Sequence, residues 1–246
     1  MKSSVGKTSS GFRPLVLSGY CTERFFYDLP WALKPSAKYV FFLHGKTLET
    51  KGPNGVHPRF GIYDYYGIVK SFENAGVTVI GEIRPKGIKL DKYTGKIVRQ
   101  IKILLANSIP PEQITVVGFS KGNAITLLVS AALMNPKVNF VVMSGCHHKT
   151  NFVQMPQKKR IRRSVQSIQG RFLSIYDESD PKCAACGRIF KNVSDDSTFK
   201  EIKVKNGMGH RLFYQPRKEW LEPVVEWIHE NYSPCIKKQR ITSPVQ

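Results

Sequence analysis

The sequence contains no long hydrophobic run. None of its apolar stretches approaches the roughly 20 residues that a helix needs to cross a bilayer. The first residues also lack the uninterrupted apolar segment of a secretory signal. We therefore expect a chain without a transmembrane segment and a cytoplasmic location.

Cysteine is scarce, and most cysteines stand alone. Of five cysteines, Cys21, Cys146 and Cys235 have no near neighbour of the same type, which predicts that no disulfide framework holds the fold. Cys183 and Cys186 have the spacing of half a zinc site, but a second pair at zinc-finger spacing is lacking. The sequence thus predicts neither a metal site nor a cofactor.

Acidic residues are few. The chain has 18 Asp and Glu against 38 Lys and Arg, which gives a net charge of +20. Such a charge favours encounters with nucleic acid, an anionic membrane surface or an acidic substrate. One dense basic cluster lies at residues 158–163. It is either a binding patch of this kind or, as is commoner for such clusters, a solvated loop or helix face.

Length and composition predict one domain. The chain has 246 residues, of which 41% are hydrophobic and 23% charged, and this is enough for a single α/β core with little left over. We place the domain at residues 12–236, with flexible, polar ends at 1–11 and 237–246. Residues 147–170, which contain the basic cluster, are expected to form a small cap or basic insertion that can gate access to a site.

Short apolar runs alternate with helical patterns along the chain. Continuous apolar runs are typical of strands buried on both faces of a parallel sheet. The alternation predicts an α/β fold, with a doubly wound, mostly parallel sheet, helices on both faces and a minimal cap. The predicted strands are 24–27, 39–43, 77–80, 114–117, 139–143, 172–175 and 199–204, and the predicted helices are 63–75, 92–107, 123–134 and 220–232, the last with Pro223 in its first turn.

Ser120 lies between two glycines where a strand runs into a helix. Gly118 and Gly122 are each separated from it by one residue, Gly118 after an apolar run and Gly122 before an apolar helical pattern. A serine held there adopts a cramped backbone, and side chains at the two glycines would collide with neighbouring chain. We predict that Ser120 is a nucleophile and that the backbone N–H of Lys121 donates to an oxyanion. The alternative is a glycine-rich turn with an idle serine.

Candidates for the partners of a serine nucleophile follow two later strands. Such a serine needs a base and an orienting acid. The strand at 172–175 runs out into Asp177 and Asp180, and the strand at 199–204 leads through a glycine-rich loop to His210. The order along the chain is therefore Ser, Asp, His.

An early predicted strand ends in His44 and Gly45. Together with the glycine-flanked serine, Asp180 before a proline, and His210 in its late glycine-rich loop, this makes four motifs in one order. In these motifs the chain resembles the α/β-hydrolase superfamily over residues 24–232. It is also similar to uncharacterised bacterial hydrolases of that superfamily.

The resemblance implies a role for each motif residue. Ser120 would be the nucleophile and His210 the general base and acid, while Asp180 would orient His210 and stabilise its imidazolium. The backbone N–H groups of Lys46 and Lys121 would form the oxyanion hole.

The choice between the two carboxylates rests on the same resemblance. When the strand end is aligned with the usual Gly-x-x-Asp-Pro of the superfamily, Asp180 falls on the aspartate and Asp177 on the glycine. This favours Asp180. The departure from the pattern at Asp177 keeps that residue as the alternative.

Cations and other histidines surround these motifs in the sequence. Arg84 and Lys86 follow the predicted strand at 77–80, where side chains can reach a pocket mouth, and we predict that they bind substrate and favour an anionic group. The other histidines are expected to be structural or to have no chemical role: His44, His57, His147, His148 and His229.

Two functions are compatible with these features. The first is a serine hydrolase that cleaves a small ester, thioester or amide, with a carboxylic ester preferred, through an acyl-enzyme and without a cofactor. The second is a hydrolase-fold binding protein that contacts nucleic acid or an anionic membrane through its basic surface.

Overall fold

The computed structural model describes residues 24–146, 167–181, 185–190 and 198–230. Within these ranges the strands are β1 (Phe25–Phe26), β2 (Tyr39–Leu43), β3 (Val56–His57), β4 (Gly61–Ile62), β5 (Thr78–Ile80), β6 (Ile114–Phe119), β7 (Asn139–Met143), β8 (Arg171–Asp177) and β9 (Thr198–Val204). The helices are α1 (Lys46–Lys51), α2 (Tyr65–Asn74), α3 (Leu90–Ala106), α4 (Lys121–Leu133), α5 (Gly187–Phe190) and α6 (Lys218–His229). Short 3-10 turns lie at Pro111–Gln113 and Gly209–Tyr214.

Seven of these strands form one sheet, in the order β1-β5-β2-β6-β7-β8-β9. Every pairing within it is parallel. All residues of β2, β6 and β7 are buried, which explains why their sequences are continuous apolar runs. The predicted parallel sheet is confirmed.

Helices cover both faces of the sheet, as predicted. On one face Ile101 of α3 and Val129 of α4 share a core with Phe41 of β2. On the other face Val224 of α6 belongs to the core that contains Phe42. Because successive side chains of a strand point to opposite faces, Phe41 and Phe42 lie in different cores.

The order in which strands are added to the sheet reverses at β2. The chain adds β5 on one side of β2 and then returns to add β6 on the other side. In open α/β sheets, ligands bind outside the carboxyl ends of the strands at such a switch point. His44 directly follows β2 and Ser120 directly follows β6, so both lie at this edge.

Two short elements beside this edge have no counterpart among the predicted helices and strands. They are α1 and the antiparallel hairpin of β3 and β4, in which Val56 pairs with Ile62. Each is too short to show hydrophobic periodicity, and α1 buries only Leu48 and Glu49. These elements supply one wall of the pocket described below.

The last helix begins earlier than predicted. It starts at Lys218, so Pro223 lies inside the helix and not in its first turn. Its apolar stripe is nevertheless buried as the spacing predicts, with Trp220 and Val224 fully covered. The burial of this stripe outweighs the hydrogen bond that a proline cannot donate.

Cys146 and Cys186 form a disulfide bond, 40 residues apart in sequence. This bond contradicts the prediction that the fold is held without disulfides. The two residues approach because the segments that follow β7 and β8 leave the sheet from neighbouring strands, a proximity that sequence spacing cannot show. The thiol of Cys186 is not available to a metal while this bond is intact.

Several predicted features lie outside the described residues. They are the ends at 1–11 and 237–246, most of the predicted cap at 147–170 and the basic cluster at 158–163. In the part of the chain that is described, no helix combines the length and hydropathy needed to cross a membrane.

Candidate active site

Ser120 occupies a sharp turn between β6 and α4. Its backbone has φ of 55° and ψ of −110°, a conformation that costs a non-glycine residue about 1–3 kcal/mol and persists only where the surroundings enforce it. The turn presents the side chain at the carboxyl edge of the sheet, where Ser120 is half-buried.

The two flanking glycines enforce the turn by close packing. A Cβ at Gly122 would lie 1.8 Å from the carbonyl oxygen of Leu43 at the end of β2. A Cβ at Gly118 would lie 2.2 Å from the hydroxyl of Thr126 in α4. Both contacts are far shorter than any real Cβ makes, so the helix can approach the sheet this closely only with glycine at both positions.

His210 joins Ser120 to a carboxylate. Its Nε2 lies 3.1 Å from Ser120 Oγ, and its Nδ1 lies 2.7 Å from Asp180 Oδ2. Asp180 and His210 are buried, at 1% and 8% exposure. A carboxylate at Nδ1 holds the proton on that nitrogen, which leaves Nε2 to accept the proton of Ser120. The structure thus brings the three predicted residues together in a hydrogen-bonded chain.

Asp177 makes different contacts. Its Oδ1 accepts hydrogen bonds from the backbone N–H and the hydroxyl of Ser179, at 2.8 and 2.6 Å. Its backbone oxygen accepts from the N–H of Asp180. Asp177 therefore shapes the turn that carries Asp180, and the geometry favours Asp180 as the partner of His210.

Ser144 is a fourth member of this hydrogen-bonded chain. It follows β7, is 2% exposed, and has φ of 45°. Its hydroxyl donates to Asp180 Oδ2. The hydroxyl oxygen of Ser144 also lies 3.2 Å from His210 Nδ1. Because a hydroxyl has one proton, Ser144 can only accept from the imidazole N–H. Asp180 and His210 are thereby held from one side by a buried hydroxyl.

A pocket of about 440 Å³ opens beside Ser120. The elements that line it are α1, the β3–β4 hairpin and the ends of β6 and the second 3-10 turn. Its lining residues are Gly45, Lys46, Thr47, Thr50, Lys51, Val56, His57, Pro58, Phe60, Phe119, Ser120, His210 and Tyr214. Among the described residues, this lining contains two lysines and no carboxylate.

Aromatic rings form the inner wall of the pocket. The ring of Phe60 lies 5.2 Å from His210 and 5.5 Å from Tyr214, centroid to centroid. Burial raises the pKa of the Tyr214 phenol, against the smaller opposing effect of its hydrogen bond with Thr47, so this phenol stays neutral. His57, predicted to be structural, lies in this wall and stacks on Phe60 at 4.4 Å.

Solved structures share this arrangement of sheet and helices. Bromoperoxidase from Bacillus anthracis is 13% identical with a TM-score of 0.51, over 79% of this chain and 93% of its own. A structure from the metagenome-derived lipolytic enzymes LipS and LipT is 14% identical with a TM-score of 0.55, over 78% and 94%. The α/β hydrolase GrgF from Penicillium sp. sh18 is 13% identical with a TM-score of 0.54, over 78% and 89%.

The chain has the α/β-hydrolase fold. No family model matches its sequence, and no curated protein matches it. Since one of these structural neighbours is named a bromoperoxidase and another a lipolytic enzyme, the fold does not fix the reaction. The function of this α/β-hydrolase-fold chain must be argued from its site.

Lys46 and Lys121 are the residues predicted to supply the oxyanion donors. They are the first residues of α1 and α4, and the N–H of a first helical residue has no acceptor in its own helix. Both helices begin next to the serine, since a Cβ on Gly45 would lie 3.5 Å from Ser120 Cβ. Both helices therefore begin close to Ser120.

Arg84 does not reach the pocket. It is fully buried, at 0% exposure, and its guanidinium donates to Glu49 and to the carbonyl oxygen of His44. The prediction that Arg84 binds substrate does not fit this geometry, because burial and these acceptors occupy it. Lys86 is exposed but is not among the residues that line the pocket.

His44 is buried beneath the start of α1. Its Nε2 accepts the backbone N–H of Arg84 at 2.9 Å, so its proton lies on Nδ1, which donates to the carbonyl oxygen of Gly45 at 2.7 Å. Burial, helped by the positive charge of Arg84, lowers the pKa of His44 to about 3. The neutral ring fits the structural role predicted for it.

Sequence reasoning missed Ser144, Glu49 and the hairpin that walls the pocket. The signal for Ser144 is a small polar residue directly after a buried strand, next to the strand that ends in Asp180. The Nε2 of His229 lies 3.0 Å from the carbonyl oxygen of Ala75. This contact is consistent with the structural role predicted for His229. His147 and His148 lie outside the described residues.

Proposed function

We propose that the protein is a serine hydrolase of the carboxylesterase type, which cleaves an ester through an acyl-enzyme. Thioesters and amides follow the same chemistry. The observation that carries the proposal is the chain of hydrogen bonds from Ser120 through His210 to Asp180, at 3.1 and 2.7 Å, at the edge of an open pocket. A serine hydroxyl becomes a nucleophile when a neighbouring imidazole takes its proton.

In the first half of the proposed reaction, Ser120 Oγ attacks the ester carbonyl and its proton passes to His210 Nε2. The resulting imidazolium is stabilised by Asp180, which is ionised and accepts the Nδ1 proton. Charge develops on the carbonyl oxygen as the tetrahedral intermediate forms. The backbone N–H groups of Lys46 and Lys121 are the donors we assign to it.

In the second half, the intermediate collapses and His210 gives its proton to the departing alcohol, which leaves an ester between Ser120 and the acyl group. Water then attacks this ester while His210 accepts its proton, and the acid and the free serine are released. Each of these steps uses groups of the chain itself.

The charge of the pocket supports an anionic substrate. Among the described residues, neither Lys46 nor Lys51 has a carboxylate within ion-pairing distance, and no carboxylate lines the pocket. Two uncompensated ammonium groups beside Ser120 attract a negatively charged ester. We propose that the substrate carries a carboxylate or phosphate group on the side that faces α1.

A fluorophosphonate probe tests the hydrolase proposal. We expect the folded protein to be labelled on one serine, because the probe reacts with activated serines, and we expect Ser120→Ala to abolish labelling. The same variant should lower ester hydrolysis by at least about 10⁴-fold. Absence of labelling of the folded protein, or labelling that persists in Ser120→Ala, would overturn the proposal.

A pair of matched esters tests the anionic preference. Lys51→Ala should lower kcat/KM for 4-nitrophenyl hemisuccinate about tenfold, since a charge-assisted hydrogen bond contributes about 1.5 kcal/mol, and leave 4-nitrophenyl acetate within twofold. Lys86→Ala is the matched control, an exposed lysine outside the pocket. Equal effects of the two variants would show a general field and not a pocket contact.

A second candidate is a hydrolase-fold binding protein for nucleic acid or an anionic membrane surface, favoured by the net charge of +20. It predicts binding to a DNA duplex or to vesicles with anionic lipid that weakens steeply with salt and survives Ser120→Ala. Affinity that does not change between low and moderate salt would exclude this candidate.

A further inference from the structure

Glu49 is a buried carboxylate shared by two cations. Its Oε1 accepts from Arg84 Nε at 3.1 Å, and its Oε2 accepts from Lys121 Nζ at 2.5 Å. The Glu49 side chain is 2% exposed and that of Arg84 is 0% exposed, while that of Lys121 is 24% exposed. Removing one charge from such a cluster leaves the others buried without a partner.

The three charged residues come from three segments that meet beside Ser120. Glu49 lies in α1, Arg84 follows β5, and Lys121 begins α4. The carboxylate of Glu49 thus ties the first turn of α1 to the first turn of α4. These are the two helices whose first backbone N–H groups face the carbonyl oxygen in the proposed reaction.

Arg84 extends the same connection to the residues before α1. Its guanidinium donates to the carbonyl oxygen of His44, and its backbone N–H donates to the His44 ring. The His44 ring in turn donates to the carbonyl oxygen of Gly45. The backbone that leads into Lys46 is therefore held on both sides by groups that converge on Arg84.

A buried ion cluster of this kind contributes little to net stability, because the loss of hydration offsets most of the attraction between the charges. Its distinctive effect is geometric. One carboxylate oxygen of Glu49 holds Arg84, which contacts the backbone before α1, and the other holds Lys121 at the start of α4. The carboxylate therefore fixes the positions of both helix starts. Oxyanion donors need such fixing, because a displaced donor loses most of its effect on the transition state.

We propose that Glu49 is a positioning residue, which holds the backbone N–H groups of Lys46 and Lys121 in register for one oxyanion by bridging Arg84 and the Lys121 side chain. This inference rests on the proposed hydrolase function. It assigns the Lys121 side chain a part in the bridge and no contact with substrate, and it gives Arg84 the role of anchor.

The variant Glu49→Gln tests the bridge, because glutamine has the shape of glutamate but cannot accept from both cations with a full charge. We expect kcat for 4-nitrophenyl acetate to fall about 10- to 100-fold, up to the range reported for loss of an oxyanion donor, with KM within twofold. The effect should appear in kcat and not in KM, because the donors act on the transition state and not on the bound ester.

A trifluoromethyl ketone gives a readout that a general loss of structure would not mimic. Ser120 Oγ adds to its carbonyl carbon, the serine proton passes to His210, and the adduct presents an oxyanion to the same donors. In Glu49→Gln the inhibition constant of this ketone should rise by the same factor by which kcat/KM falls. The inhibition constant of the corresponding neutral alcohol, which forms no adduct, should stay within twofold.

Two further variants make the result decisive. Glu73→Gln is the control, since Glu73 makes a surface pair with Lys70 at 3.6 Å and lies in α2, and it should leave all constants unchanged. Lys121→Met removes one arm of the bridge and keeps the backbone N–H, so it should give a smaller loss in kcat and in ketone affinity. It replaces Glu49→Gln if that variant fails to fold.

Wild-type kcat and ketone affinity in a folded Glu49→Gln, or in Lys121→Met where the first variant does not fold, would overturn the bridge. A loss confined to KM would also overturn it. The hydrolase proposal fails separately, if Ser120→Ala keeps its esterase activity, so the two failures are distinguishable.

Discussion

Two serines directly follow neighbouring strands of the sheet, both with positive φ, and their surroundings differ. Ser120 after β6 has φ of 55° and Ser144 after β7 has φ of 45°. Both lie beside His210, but on opposite sides of its ring, 3.1 Å from Nε2 and 3.2 Å from Nδ1. Each turn therefore brings a hydroxyl to the carboxyl edge of the sheet. The turn alone does not determine whether that hydroxyl acts as a nucleophile.

The surroundings of the two turns decide it. Ser120 faces a pocket, is followed at once by α4, and meets the nitrogen of His210 that can accept a proton. Ser144 is buried, gives its proton to Asp180, and is followed by Gly145, where a Cβ would lie 1.6 Å from the amide nitrogen of Asn123. We infer that the first turn provides a nucleophile and the second provides support for the acid and base.

Among the groups that the two serines contact, Asp180 gives the largest expected effect. Ser144 reaches it directly and Ser120 reaches it through His210. Asp180→Asn should lower kcat/KM by about 10³- to 10⁴-fold, because the amide disfavours the tautomer of His210 that accepts from Ser120. Asp177→Asn is the matched control on the same turn and should stay within about threefold. Steady-state kinetics with 4-nitrophenyl acetate check both. If Asp177→Asn were the more damaging change, the acid would be reassigned.

The disulfide bond anchors the second turn and gives the next largest effect. Cys186→Ser should lower the free energy of unfolding by about 3–4 kcal/mol, since the bond closes a loop of 40 residues. Denaturant unfolding of the wild type with reductant should match the variant, which should itself be insensitive to reductant. A wild-type midpoint that reductant does not move would contradict the bond.

The same measurement bears on location. Disulfide bonds are rare in the reducing cytosol and common in oxidising compartments. The cytoplasmic location expected from the sequence stays a prediction, and the pairing of Cys146 with Cys186 is an observation against it.

The first turn depends on a neutral His44 at the end of the adjacent strand, which gives the fold a specific acid sensitivity. The pKa of His44 is lowered from 6.5 to about 3 by burial, so below pH 6.5 the unfolded chain takes up a proton that the folded chain does not. The stability that this group contributes is full above pH 6.5 and falls by about 1.4 kcal/mol per pH unit as the pH drops toward 3.

Unfolding at pH 6.5 and pH 4.5 measures this loss, which should be about 2 kcal/mol larger in the wild type than in His44→Asn. The variant starts from a lower stability but lacks the buried ring that must stay neutral. Parallel pH dependences of the two proteins would show that His44 is protonated at little cost.

The parts of the fold that sequence predicted are those encoded locally. A strand that runs into Gly118, Ser120 and Gly122 favours a tight turn, and short continuous apolar runs between helical patterns favour a parallel sheet. For this reason the sheet and the turn could be predicted from local sequence, whereas the structural role of His44 followed from the family resemblance.

The parts that sequence reasoning missed depend on contacts between distant segments. Arg84 and Lys86 are both cations that follow the same strand, so the sequence does not distinguish them. Arg84 is buried because it pairs with Glu49, which lies 35 residues earlier in the chain, whereas Lys86 is exposed. Ser144, 36 residues before Asp180, and the pairing of Cys146 with Cys186 are of the same kind. Residue type and spacing do not predict such contacts between distant segments.

The smallest expected effect distinguishes the two turns most sharply. Ser144→Ala removes a hydroxyl that only positions Asp180 and His210, so kcat should fall about tenfold, the equivalent of 1.4 kcal/mol, with KM unchanged. Ser174→Ala is the matched control, because Ser174 is equally buried, on β8, and its hydroxyl has no partner among the described residues.

A glycine at position 144 separates the hydroxyl from the backbone. Because φ there is 45°, Ser144→Gly should be about 1 kcal/mol more stable toward unfolding than Ser144→Ala, yet it lacks the same hydrogen bond to Asp180. We expect the two variants to share one kcat while their unfolding midpoints differ. If kcat instead followed stability, the second serine would support the fold alone, and the similarity of the two turns would have no bearing on the chemistry.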